Sequence, residues 1–111
     1  MISEIDIKDF EEYQKLTSKT AVYPKDRALE YLSTGLAGEV GEFCSKVAKT
    51  FRKDKELDKE AAAQELGDVL WFVAQSCEML GYNMATVATM NINKLLDRKE
   101  RGVLKGDGDN R

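Results

Sequence analysis

Four acidic side chains stand in two matched pairs. Glu39 and Glu42 lie three residues apart within Gly35-Leu36-Ala37-Gly38-Glu39-Val40-Gly41-Glu42-Phe43. Glu65 and Asp68 repeat that spacing within Glu65-Leu66-Gly67-Asp68-Val69-Leu70-Trp71. On an α-helix, positions i and i+3 share a face. Apolar residues interleave with the acids: Leu36, Val40, Phe43 and Val47 in the first stretch, Leu66, Val69, Leu70 and Val73 in the second. Such stripes predict helices lying against a core, with the acids at the stripe's edge. If the two helices pack antiparallel, four carboxylates converge. They cannot all stay ionised at close range without a counter-charge. A hard divalent cation with oxygen ligands is the natural one.

One pair of acids at this spacing commonly marks a solvated helix face. Here the glycines argue otherwise. Gly35, Gly38, Gly41 and Gly67 fall inside or beside helical patterns, where each costs about 1 kcal/mol relative to Ala. Small residues beside acids let a second helix, or a bulky ligand, approach closely.

A carboxylate cluster holding Mg²⁺ suits phosphate chemistry, and Mn²⁺ is the expected substitute. The same cluster repels a polyphosphate unless cations balance it. Asn91, Lys94 and Arg98 supply a stripe, at i, i+3 and i+7 of one helical pattern. Lys105 and Arg111 add charge in a tail whose glycines would let backbone N–H groups approach phosphate. Among the aromatics that could stack on a base, Tyr23, before Pro24, is the hardest to explain by core packing, and Trp71 is a second candidate.

These groups need few elements to position them. The 111 residues fit one domain. One proline and no useful alternation of period two predict an all-α chain without a sheet. A first helix is expected over residues 4–19, with Ile5, Phe10, Tyr13 and Leu16 as its stripe. A second is expected over 27–52, capped by Asp26 and interrupted by glycine near Ser33-Thr34-Gly35. Asp58 is expected to cap a third helix over 59–80, ended by Gly81. Asn83 caps a fourth, to Arg101, with Met84, Val87, Met90 or Asn91, and Leu95 inward. Residues 102–111 form a Gly/Asp-rich tail. Its Asp107-Gly108-Asp109-Asn110 faintly resembles a calcium loop, but the remaining ligands are missing.

Composition narrows the chemistry. There is no histidine, which removes His-based triads, Glu-x-x-His di-iron bundles and most zinc sites. The net charge of −3 gives no reason to expect a nucleic-acid polymer or a membrane surface as partner. No apolar run is long enough to span a bilayer, and the N-terminus lacks a signal-peptide pattern. A cytoplasmic protein is expected, with Cys44 and Cys77 as small reduced core residues.

The spacing Glu39-x-x-Glu42, 22 intervening residues, then Glu65-x-x-Asp68, resembles the metal motif of the all-α nucleoside triphosphate pyrophosphohydrolases, in particular their MazG-like branch. Tyr13-Gln14, Thr20-Ala21, Tyr23-Pro24, Asn91-x-x-Lys94-Leu95-x-x-Arg98 and the ending Gly106-Asp107-Gly108-Asp109-Asn110-Arg111 fall where such proteins carry similar residues. The resemblance implies Mg²⁺-dependent hydrolysis of nucleoside triphosphates between the α- and β-phosphates, for pool control or house-cleaning. Glu39, Glu42, Glu65 and Asp68 would hold the metal, one glutamate would serve the attacking water, and Lys94, Arg98 and Asn91 would meet phosphates or sugar. It also implies a helical bundle completed as a homodimer or homotetramer. The alternatives are a narrower dUTPase- or dCTPase-like hydrolase and a non-catalytic nucleotide-binding or interaction module.

Overall fold

The computed structural model describes residues 4–53, 55–106 and 108–109. Their regular elements are helical: α1 (Phe10–Ser18), α2 (Ala28–Arg52), α3 (Lys59–Leu80) and α4 (Met84–Arg101), with a 3-10 turn at Lys25–Arg27. No strand occurs among the described residues, as the absence of period-two alternation predicts.

Local chemistry explains most helix ends. Asp9 is extended, at φ −155° and ψ 170°, and its carboxylate accepts from the Glu12 N–H at 2.8 Å. That cap starts α1 at Phe10, so residues 4–8, expected to belong to the first helix, are not helical. Asp58 caps α3 by accepting from the Ala61 N–H at 3.0 Å. Gly81 ends it in the left-handed region, at φ 76°. The Tyr82 N–H then closes on the Cys77 carbonyl at 2.9 Å, a closure that glycine allows without strain. Asn83 does occupy the cap position of α4, but its side chain makes no capping bond. The Met84 N–H donates instead to Gln14 Oε1 at 2.6 Å, from α1. Asp26 lies in the 3-10 turn and Arg27 takes the cap position of α2, without a side-chain bond.

The expected break near Gly35 does not occur; α2 runs unbroken for 25 residues. Gly35 faces α3, and a Cβ there would overlap the ring of Phe72. Close helix contact offsets the roughly 1 kcal/mol that glycine costs a helix interior. Added Cβ atoms at Gly38, Gly41 and Gly67 would meet no atom within 4 Å. Close helix approach within the chain therefore explains only the first of these glycines.

α2 and α3 form a long hairpin, α1 packs across α3, and α4 lies against α1 and α3 but not α2. The result is open. The radius of gyration is 16.9 Å, against about 13 Å for a compact chain of this length. The buried apolar residues are Leu32, Ala62, Ala74, Cys77 and Met84. Leu36, Phe43, Val47, Val69 and Val73 are half-buried. Val40, Leu66 and Leu70 of the expected stripes are exposed, as are Phe10, Val87 and Met90. Among the described residues no second layer fully covers these six side chains. Cys44 is exposed, not a core residue, and Cys77 is buried; both are free thiols.

Two buried glutamines tie the helices together. Gln14 Nε2 donates to the Tyr82 carbonyl at 2.9 Å while its oxygen takes the Met84 N–H. Gln75 Nε2 donates to Thr17 Oγ1 at 2.9 Å and Ser18 Oγ at 3.1 Å. Buried amides need such partners, because an unpaired one costs about 1–3 kcal/mol. No described helix is long and apolar enough to cross a membrane.

Candidate metal centre and its surroundings

The contact of Gly35 with Phe72 sets the register of the hairpin. One turn beyond Gly35 is Glu39; one turn before Phe72 is Asp68, with Glu65 a further three residues back. Carboxylate oxygens of Glu39, Glu65 and Asp68 all lie within 4.8 Å of one another. Glu39 and Glu65 are half-buried and Asp68 is exposed. Glu42 is exposed and stands outside this trio. Its charge still reaches Glu39, whose pKa is raised above the ordinary value first by burial and then by Asp68, Glu65 and Glu42.

The ion pairs among the described residues leave the three acids without a cation. Three oxygens at this spacing, repelling one another, fit a hard divalent cation. Tyr13 of α1 stands close enough for Asp68, after burial, to help push its hydroxyl pKa upward.

An aromatic layer lies about one turn from the acids. Tyr31 stacks on Tyr23 with ring centroids 5.0 Å apart, and Trp71 meets Phe72 edge-on at the same separation. The polar ends of the two sequence candidates are engaged. Tyr23 donates its hydroxyl to Gln75 Oε1 at 2.8 Å, and the Trp71 indole N–H donates to Thr20 Oγ1 at 2.8 Å. The more open part of the layer is a cavity of about 500 Å³ lined by Pro24, Arg27, Glu30, Tyr31, Thr34, Gly35 and Phe72. A larger groove, about 930 Å³, lies against α1, α3 and α4 and is not lined by the carboxylates.

The cationic stripe is elsewhere engaged. Lys94 Nζ and Arg98 Nη2 both donate to Asp109 Oδ1, at 3.1 and 3.3 Å. Neither is among the charges that shift Glu39. Within one chain no ion pair among the described residues joins the carboxylates to these cations, and α4 does not pack on α2. Asn91 and Lys105 are exposed, and Arg111 lies outside the described residues, as do Asp107 and Asn110 of the tail. Three structural participants were given no role by the sequence: Gln14 and Asp109 enter there only as parts of family-like stretches, and Gln75 not at all. For the glutamines a signal existed, since each is an amide at a core-facing helical position.

A model of the MazG nucleotide pyrophosphohydrolase domain matches residues 27–103. The chain belongs to that family. The match contains the carboxylate trio, Asn91, Lys94 and Arg98, and leaves out α1. The chain is also 44% identical over 109 residues to the Gene 37 protein of Mycobacterium phage L5, covering 89% of this chain and 96% of that protein. No solved structure matches. Membership of the MazG family gives the all-α fold a context and points to nucleotide pyrophosphohydrolase chemistry in general.

Proposed function

We propose that this MazG-family chain hydrolyses nucleoside or deoxynucleoside triphosphates between the α- and β-phosphates, releasing a monophosphate and pyrophosphate. The observation that carries this reading is the Glu39, Glu65 and Asp68 trio, three carboxylates within 4.8 Å inside the span matched to the family. These residues would hold Mg²⁺, or Mn²⁺ in its place, with Glu42 beside them. A divalent ion so held supplies Lewis-acid polarisation of a phosphate oxygen and a more acidic bound water.

The chain's own side chains supply the rest. One of the glutamates would orient or deprotonate the attacking water. Glu42, exposed and one turn away, orients that water or completes the metal ligands. Lys94, Arg98 and Asn91 neutralise and position phosphate or sugar, with Lys105 and Arg111 as further cations. The layer of Tyr23, Tyr31, Trp71 and Phe72 offers a surface for the base.

A homodimer or homotetramer in the cytoplasm completes the proposal. Exposed Val40, Leu66 and Leu70 border the acidic helices, and a second copy would cover such a face. It would also give the carboxylates a route to cations that α4 does not bring to α2 within one chain.

Product analysis tests the reaction. Incubation with Mg²⁺ and a panel of triphosphates should give monophosphate plus pyrophosphate, lost on chelation. Diphosphate plus orthophosphate would mean attack at the γ-phosphate and would overturn the mechanism. Nucleotide binding without product would leave a binding module. Sedimentation at several concentrations tests the assembly; a monomer throughout would remove that part.

A further inference from the structure

The tail makes a contact that the proposed reaction does not require. Gly102, at φ 76°, ends α4, and Gly108, at φ 82°, precedes Asp109. Asp109 lies back against the last turns of α4. There its Oδ1 serves two cations at once, Lys94 at 3.1 Å and Arg98 at 3.3 Å. The two sides of this contact are unequal. The Asp109 side chain is 81% exposed, whereas that of Arg98 is 4% exposed. Arg98 Nε is buried and has no hydrogen-bond partner.

Charge-assisted N–H···O bonds ordinarily measure about 2.7–2.9 Å, so both contacts are long. One oxygen shared by two cations, with a buried guanidinium N–H left over, is a poor fit to the donors present. The guanidinium edge formed by Nε and Nη2 is a two-pronged fork, suited to two oxygens of one phosphate group. A third phosphate oxygen remains for Lys94. The donor set thus has the number and charge to suit a phosphate better than the single carboxylate oxygen now on it.

We infer that Lys94 and Arg98 form a phosphate site in which Asp109 of the same chain is the resident competitor, so that a phosphate-bearing ligand binds by displacing the tail. The inference deepens the hydrolase reading and rests on it for phosphate as the anion. An internal competitor lowers apparent affinity by the fraction of molecules in which the site is open. It also sets a preference: a singly charged carboxylate ligand gains little over Asp109, whereas a doubly charged phosphate gains both charge and a third acceptor.

The test uses the full chain and inorganic pyrophosphate, titrated by calorimetry without divalent cations so that the carboxylate trio takes no part. Asp109→Asn should bind pyrophosphate at least about threefold more tightly than the unaltered chain, because a carboxylate that stays exposed to water is a weak latch. Gly108→Ala, which keeps the tail's charge but disfavours its turn, should shift affinity in the same direction. Lys94→Ala should lose binding. Weaker binding by Asp109→Asn would overturn the inference and make Asp109 a residue that orients the cations. Unchanged affinity in both tail variants, or no binding by any form, would overturn it as well. Tightened pyrophosphate binding in a chain that hydrolyses nothing would leave this inference standing and remove the hydrolase reading.

Discussion

The acids of the α2–α3 hairpin and the cations of α4 are held by different means. Glu39, Glu65 and Asp68 are brought together by regular structure: helical spacing, antiparallel packing, and the close contact of Gly35 with Phe72. Nothing neutralises them among the described ion pairs. Lys94 and Arg98 share a helix face by the same spacing rule, but their partner comes from an irregular tail, through one oxygen of Asp109. The acidic end is rigidly placed and electrostatically unsatisfied. The basic end is satisfied, though loosely. Such a pairing suits a ligand that carries a cation to one end and an anion to the other.

The largest expected effect breaks the acidic end. Asp68→Asn should lower Mg²⁺-dependent turnover by at least about a hundredfold, since even residues that merely support metal ligands cost about 10–100-fold. Its thermal midpoint should hold or rise, because the change removes repulsion. Glu42→Gln should also lose turnover, but less, as Glu42 stands outside the trio. Equal rates for Glu42→Gln and the unaltered chain would confine the site to three acids; substantial activity in both variants would sink the metal assignment.

The register of the hairpin is tested next by urea denaturation. Gly35→Ala should destabilise by about 1–3 kcal/mol, as overpacking against Phe72 does. Gly67→Ala, with open space around it, should stabilise by up to about 1 kcal/mol. A cost at Gly67 would place something outside the chain against that glycine. Gln14→Leu should cost about 1–3 kcal/mol, because it leaves the Met84 N–H and the Tyr82 carbonyl without their partner.

The smallest effect concerns the basic end. Lys94 and then Arg98 hold the Asp109 carboxyl below its ordinary pKa of 3.8. A depressed acid contributes above the unfolded value and loses its contribution as pH falls through the folded one. The tail contact should therefore be constant near neutrality and weaken only below the usual carboxylate range. An NMR titration of Asp109 should show that lowered midpoint, and high salt should move it back towards 3.8.

What could be read from the sequence divides along the same line. Asp58, Gly81 and the two acid pairs act through spacing within a helix, and spacing is written in the chain. The apolar faces of Val40 and Leu66 were legible too, but a stripe does not say what covers it, and among the described residues both stay exposed. Residues 4–8 do not extend α1 because a helical pattern of apolar residues says nothing of a cap, and Asp9 starts the helix by satisfying the Glu12 N–H. Gln14, Gln75 and Asp109 act across 52 to 70 residues, or from an irregular tail. No local pattern encodes such partners.

Gln75 has a consequence for how the molecule opens. Its amide carbonyl accepts from Tyr23, and its amide nitrogen donates to Thr17 and Ser18. With both ends engaged, the side chain cannot flip without breaking both sets of bonds. The end of α1 and the connection to α2 are thus fastened to the C-terminal half of α3 by Gln75, alongside the Trp71–Thr20 bond. In hydrogen-exchange terms, residues 17–23 should not behave as a separately fraying loop. Their protected amides should exchange in the same cooperative unit as the centre of α3.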